Sequence, residues 1–120
     1  MTYKIVGKDQ NIALIETDVV IVNVQSALDF IASVNYETRC DRIILNKSVF
    51  TESFFVLSTG LAGEVLQKFV NYHMKAAIIG DYSRYTSKPL KDFIYESNKG
   101  KDIFFVASEE EGIKKLETAE

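Results

Sequence analysis

Arg42-Ile43-Ile44-Leu45-Asn46 places three large aliphatic side chains in a row between two polar ones. A strand with one wet face alternates apolar and polar residues, so a run without alternation buries both faces. Such strands belong to parallel sheets covered by helices. Residues 75–80 repeat the pattern with Ala76, Ala77, Ile78 and Ile79, and residues 102–106 repeat it with Ile103, Phe104, Phe105 and Val106.

The segments between these runs read as helices. Leu61, Ala62, Val65, Leu66, Phe69 and Val70 form an apolar stripe, with Glu64, Gln67, Lys68 and Asn71 opposite. Thr51 is placed to cap this segment, and Phe50 and Phe55 have the spacing of a hydrophobic staple. The stretch reads as one helix or two. Gly60 and Gly63 within it suggest close approach to the sheet. Ser87 predicts an N-cap with Pro89 in the first turn, and Leu90, Phe93 and Ile94 line the inner face. Gly100 reads as a left-handed cap. Ser108 and Glu111 have capping-box spacing for a last helix over 109–117, with Ile113 and Leu116 inward.

Toward the N-terminus, residues 3–6 and 12–16 are short β-like runs joined by turn formers, which predicts a hairpin. Residues 19–22 read as a third short strand or an irregular lead-in. Asn23 then caps a helix bearing Val24, Ala27, Leu28, Ile31 and Ala32, ending near Tyr36. The expected order is β-β-α-β-α-β-α-β-α, an α/β fold with a mixed sheet whose later strands are parallel and joined by right-handed crossovers. Residues 1–120 read as a single domain, with no linker or repeat.

The chain has 120 residues, 47% hydrophobic and 26% charged, enough to bury one core and unlike a disordered tail. One Cys and one His rule out an internal disulfide and a Cys-rich zinc site, and no cofactor is expected. The net charge is -3. Lys88, Lys91, Lys99 and Lys101 are interleaved with Asp92, Glu96 and Asp102, so no basic stripe for nucleic acid is present. No apolar run approaches a membrane span, none resembles a signal peptide, and the unpaired Cys40 fits a reducing compartment. The expectation is a cytoplasmic protein.

The element order over residues 42–116 resembles the STAS domain (sulfate transporter and anti-sigma-factor antagonist). That family carries a phosphorylatable Asp-Ser-Ser-Gly-Leu motif at the start of the helix after its third strand. Leu57-Ser58-Thr59-Gly60-Leu61 sits in a comparable place, with Leu57 where the motif has Asp. The resemblance implies a regulatory interaction module with Ser58 as candidate phosphoryl acceptor. A second resemblance is closer in wording. Thr59-Gly60-Leu61-Ala62-Gly63-Glu64, Leu66-Gln67-Lys68-Phe69-Val70-Asn71-Tyr72, Ser83-Arg84-Tyr85-Thr86-Ser87 and residues 92–100 are similar to a bacterial family known as a domain of unknown function, number four-one-eight-zero. It implies a bacterial origin and a one-domain protein, and no activity.

Other candidates come from single residues. His73 would be the general base of any nucleophilic apparatus, or a histidine at a helix end. Cys40, between Arg39 and Arg42, is either an activated thiol or a small buried residue. Asp81-Tyr82-Ser83-Arg84-Tyr85-Thr86-Ser87-Lys88 stands out. It follows a buried strand, leads into a helix, and carries more aromatic, cationic and hydroxyl groups than a turn requires. In open α/β sheets ligands gather beyond the carboxyl ends of the strands. Asn46 and Lys47 end the neighbouring strand. The candidate binding residues are therefore Asn46, Lys47, Asp81, Tyr82, Ser83, Arg84 and Tyr85.

Three functions follow. The first is a non-enzymatic interaction or regulatory module. The second is a small-anion or small-ligand binder, or a modest enzyme, using the crevice around Asp81, Arg84 and Lys47. The third is self-association through Phe30, Phe50, Phe54 and Tyr95. The expected partner is a protein or a second copy.

Overall fold

The structure, a computed structural model, describes residues 1–120. The strands are β1 (Thr2–Val6), β2 (Ile12–Glu16), β3 (Arg42–Asn46), β4 (Lys75–Ile79) and β5 (Ile103–Val106), and the helices are α1 (Val24–Thr38), α2 (Leu61–Asn71), α3 (Lys88–Lys99) and α4 (Glu109–Thr118). The strands lie in the order β1-β2-β3-β4-β5. β1 is antiparallel to β2, and every later pair is parallel. The α/β class and the mixed sheet are those expected from the unalternated apolar runs.

The sequential order decides the layers. Each crossover joins neighbouring strands in the same direction, so crossovers of one hand all pass over one face. Accordingly α1, α2 and α3 bury Phe30, Ile31, Val34, Val65, Phe69 and Leu90 with Ile43, Leu45, Ala76, Ile78 and Phe105 in a cluster of 24 buried residues. The other face has only α4, whose Leu116 packs with Ile12, Ile44, Ala77, Phe104 and Val106. Gly112 of α4 faces the sheet, where an added Cβ would meet Ala77 Cβ at 3.2 Å.

Side-chain hydrogen bonds close the β5 edge and tie down α4. On β5 the Asn98 amide accepts from Phe105 N–H (2.7 Å) and donates to the Phe105 carbonyl (3.2 Å), and Glu111 accepts from Ala107 N–H (2.8 Å). Arg42 donates from one guanidinium nitrogen to the carbonyls of Leu116 and Ala119, which ties the end of α4 to β3.

Of the two readings of residues 19–22 the irregular lead-in holds, with one parallel bridge from Ile21 to Phe50. Several other local expectations change. α1 runs to Thr38, whose hydroxyl donates to Val34 C=O and accepts from Cys40 N–H. Thr51 makes no side-chain cap, and residues 47–59 are three 3₁₀ turns rather than a helix. Extended backbone at Phe50, Thr51 and Val56 separates the turns, and Gly60, at φ +77°, separates the last of them from α2. Close packing does not explain Gly60 or Gly63, because a Cβ on either would meet nothing within 4 Å. Gly100 is extended, with φ -83° and ψ -159°, and is no left-handed cap. Phe30, Phe50 and Phe54 are core residues, leaving only Tyr95 of that set exposed. Ser87 and Ser108 cap α3 and α4 as expected, accepting from Leu90 N–H and Glu111 N–H.

Candidate functional site

Beyond the carboxyl ends of β3 and β4 the chain builds an aromatic platform. Asn46 Oδ1 accepts from Ser48 N–H (3.0 Å) and turns the chain into the 3₁₀ segment Lys47–Val49. This places Lys47 across the end of β4. There the absent side chain of Gly80 makes room for its stem. Lys47 Nζ donates to the Tyr85 hydroxyl (2.8 Å), lies 3.7 Å from Glu52 Oε1, and sits 5.1 and 5.2 Å from the ring centres of Phe55 and Tyr85. Phe55 and Tyr85 stack at 5.3 Å. Tyr82 stands edge-on to Phe105 at 5.4 Å, and its hydroxyl donates to Ile78 C=O (2.8 Å).

The Asp81 carboxylate accepts from the Ser83 hydroxyl (2.5 Å) and Ser83 N–H (3.1 Å), which fixes the 3₁₀ turn Tyr82–Arg84. These two bonds, then the charges of Arg84 and Lys47, hold Asp81 below its ordinary pKa. Burial, helped by Tyr85, pushes the Tyr82 phenol well above the ordinary tyrosine value.

The structure therefore separates the predicted residues by use. Lys47, Asp81, Tyr82, Ser83 and Tyr85 meet at one edge, with their polar groups bonded to one another or to backbone. Asn46 is spent on its own turn. Arg84 is exposed and engages in no hydrogen bond or ion pair. Ser58 is exposed in the 3₁₀ turn Leu57–Thr59, ahead of α2, rather than in its first turn. Arg84 and Ser58 line the same open groove of about 370 Å³, with Glu52, Phe55, Val56, Leu57, Tyr85, Thr86, Ser87 and Pro89. A second open groove, about 460 Å³, lies beyond Tyr82 toward Ala107 and Glu111.

The sequence reading missed the far wall of the first groove. Phe55 has the spacing of a helix staple, yet it is the ring on which Tyr85 and Lys47 rest. The density of Phe50, Phe54 and Phe55 just after a strand end was the available signal. The strand order also lacks the reversal at which doubly wound sheets open a crevice. The grooves here come from loops alone.

The remaining candidates lie at the opposite edge. His73 is exposed, follows α2 with φ +59°, and makes no side-chain hydrogen bond. Cys40 is buried, but neither arginine serves it: Arg42 is turned to α4 and Arg39 lies 6.0 Å from the Tyr36 ring centre. No group of three or more His, Cys, Asp or Glu is placed to hold a metal ion, and no helix is long and apolar enough to cross a membrane.

No curated protein and no solved structure shows significant similarity to the chain. Residues 7–116 match one family, described as Domain of unknown function (DUF4180). That span holds β2 to β5, all three crossovers and both carboxyl-edge grooves. The chain is a member of the DUF4180 family.

Proposed function

We propose that the chain is a non-catalytic interaction module whose contact face is the carboxyl-edge loop pair, residues 52–58 and 81–89. The observation that carries this reading is Arg84. It is a forked cation without a hydrogen bond or ion pair, beside a groove lined by Phe55 and by Tyr85, whose hydroxyl already accepts from Lys47. Such a surface offers aromatic area beside a forked cation, the composition of a protein contact. Catalysis finds little support here, because Asp81 and Tyr82 hold structural hydrogen bonds and no base faces a nucleophile.

The resemblance of the element order to the STAS domain is our ground for adding a regulatory element to the proposal. Ser58 is open to solvent in the Arg84 groove, so phosphate on Ser58 would add negative charge beside the free guanidinium and compete with an acidic partner. The reading as a small-anion binder rests on the same Arg84. A protein partner is favoured over a free anion because the groove is open and half apolar. The proposed setting is a bacterial cytoplasm.

The test is capture of partners from the source organism by wild type and Arg84→Ala, with melting curves for both. Loss of a specific partner, without loss of stability, supports the reading. Saturable binding of inorganic phosphate by wild type alone, with no protein captured, would move the assignment to the anion binder.

A further inference from the structure

We propose that a cavity at the amino edge of the sheet is a second binding site, for a neutral aromatic molecule of one or two rings carrying an N–H or O–H donor. The cavity is about 280 Å³ and more enclosed than the carboxyl-edge grooves. Its floor is Ile31, Cys40 and Met74, none more than 9% exposed. Leu28 and Ala32 of α1 form one wall. Asn35, Asp41 and Tyr72 form the polar rim.

Volume and chemistry together select the occupant. A dry apolar cavity of about 150 Å³ holds benzene, so this one has room for about two rings. Water at the floor finds only a thiol, so a ligand ring displaces it there at little cost. No Lys or Arg lines the cavity, which disfavours an anion. The side chains of Asn35, Asp41 and Tyr72 make no hydrogen bond within the fold, and the first two supply acceptors for a donor on the ligand.

The walls are preformed. Arg39 and His73, each a non-glycine residue at φ +59°, immediately precede Cys40 and Met74. Backbone bonds fix both turns: Arg39 N–H to Asn35 C=O (3.1 Å), His73 N–H to Val70 C=O (3.0 Å) and Met74 N–H to Phe69 C=O (2.8 Å). Both left-handed residues close helix C-termini, those of α1 and α2, so the turns that carry Cys40 and Met74 are held by the helix ends. A preformed apolar hollow with a few polar groups at its mouth is the usual form of a small-molecule site.

Indole is the probe. The chain has no tryptophan, so indole emission excited beyond the tyrosine band reports binding directly. The expected result is a saturable blue shift with one site. Ala32→Phe, which fills the mouth, should weaken binding by about tenfold or more. N-methylindole, lacking the donor, should bind wild type about threefold or more weakly than indole. Arg84→Ala should bind indole like wild type, which separates this site from the carboxyl edge. Saturating indole should also slow the reaction of Cys40 with an aromatic disulfide reagent. No saturable shift up to the solubility of indole, or unaltered affinity in a folded Ala32→Phe protein, would overturn the proposal. Equal binding of N-methylindole would overturn the donor assignment. Should Ala32→Phe melt early, Cys40 labelling in wild type decides, and a rate unaffected by indole is contrary to the site.

Discussion

Gly80 lies beneath the stem of Lys47: a Cβ on Gly80 would come within 2.5 Å of Lys47 Cδ and 3.1 Å of Tyr82 Cζ. The platform thus depends on a missing side chain. Gly80→Ala should displace Lys47 from Tyr85 and cost about 1–3 kcal/mol, the range for overpacking. In Lys47→Ala the same change should cost much less, because the obstructing stem is gone. A double-mutant cycle by chemical denaturation measures the coupling. Additive costs would mean that the clash is relieved elsewhere.

Tyr82 gives a pH dependence with a definite sign. Its phenol titrates above the ordinary value, first through burial and then through Tyr85. The folded state holds that proton more tightly than the unfolded chain. Its stabilising contribution is fully present below about pH 10 and is lost as pH rises beyond it. Tyr82→Phe should lose about 1 kcal/mol at neutral pH, with the hydrogen bond to Ile78, and should show a shallower alkaline decline than wild type. Denaturant midpoints in steps above neutrality check both parts.

Asn98 closes the β5 edge by imitating a strand, accepting from and donating to the same residue, Phe105. Asn98→Ala leaves both backbone groups without their partners and should cost about 1–3 kcal/mol. Asn98→Asp keeps the acceptor but sets a carboxylate against a carbonyl. Its stability should recover on acidification, when the proton restores a donor. A pH series of melting temperatures on Asn98→Asp tests this.

Arg42 fastens α4 at its carboxyl end. The cluster under α4 is small, six buried residues against 24 on the other face. Arg42→Ala should therefore speed hydrogen exchange within α4 by about tenfold or more, the equivalent of one charge-assisted bond. Amides of β3 and β4 should be unaffected. Uniform acceleration would mean that α4 and the sheet unfold together.

Strands β3, β4 and β5 were legible because burial on both faces leaves an unalternated apolar run, and the β1–β2 hairpin, whose first strand is largely exposed, was legible from its turn formers. The polar caps Asn23, Ser87 and Ser108 were legible for the same local reason. Residues 47–60 were not. Helical spacing of apolar residues continues through them, but the extended backbone at Phe50, Thr51 and Val56 and the positive φ of Gly60 are backbone facts that spacing does not encode. The carboxyl-edge loop was found by position after a buried strand. The division of its residues between bonded and free was not, since it depends on pairings such as Lys47 with Tyr85, 38 positions apart. The amino-edge cavity left no sequence trace, because its lining comes from α1 and from two separate turns.

The central claim is that Arg84 serves a partner and not the fold. The most direct measurement is the affinity of wild type and Arg84→Ala for a partner captured by wild type, read beside their melting temperatures. Loss of one charge-assisted contact predicts weaker binding by about 1–3 kcal/mol, with melting little altered because Arg84 makes no hydrogen bond or ion pair and acts on the fold only through its charge near the exposed Asp81. Unchanged binding with a marked fall in melting temperature would contradict the account and make Arg84 a brace of its own loop.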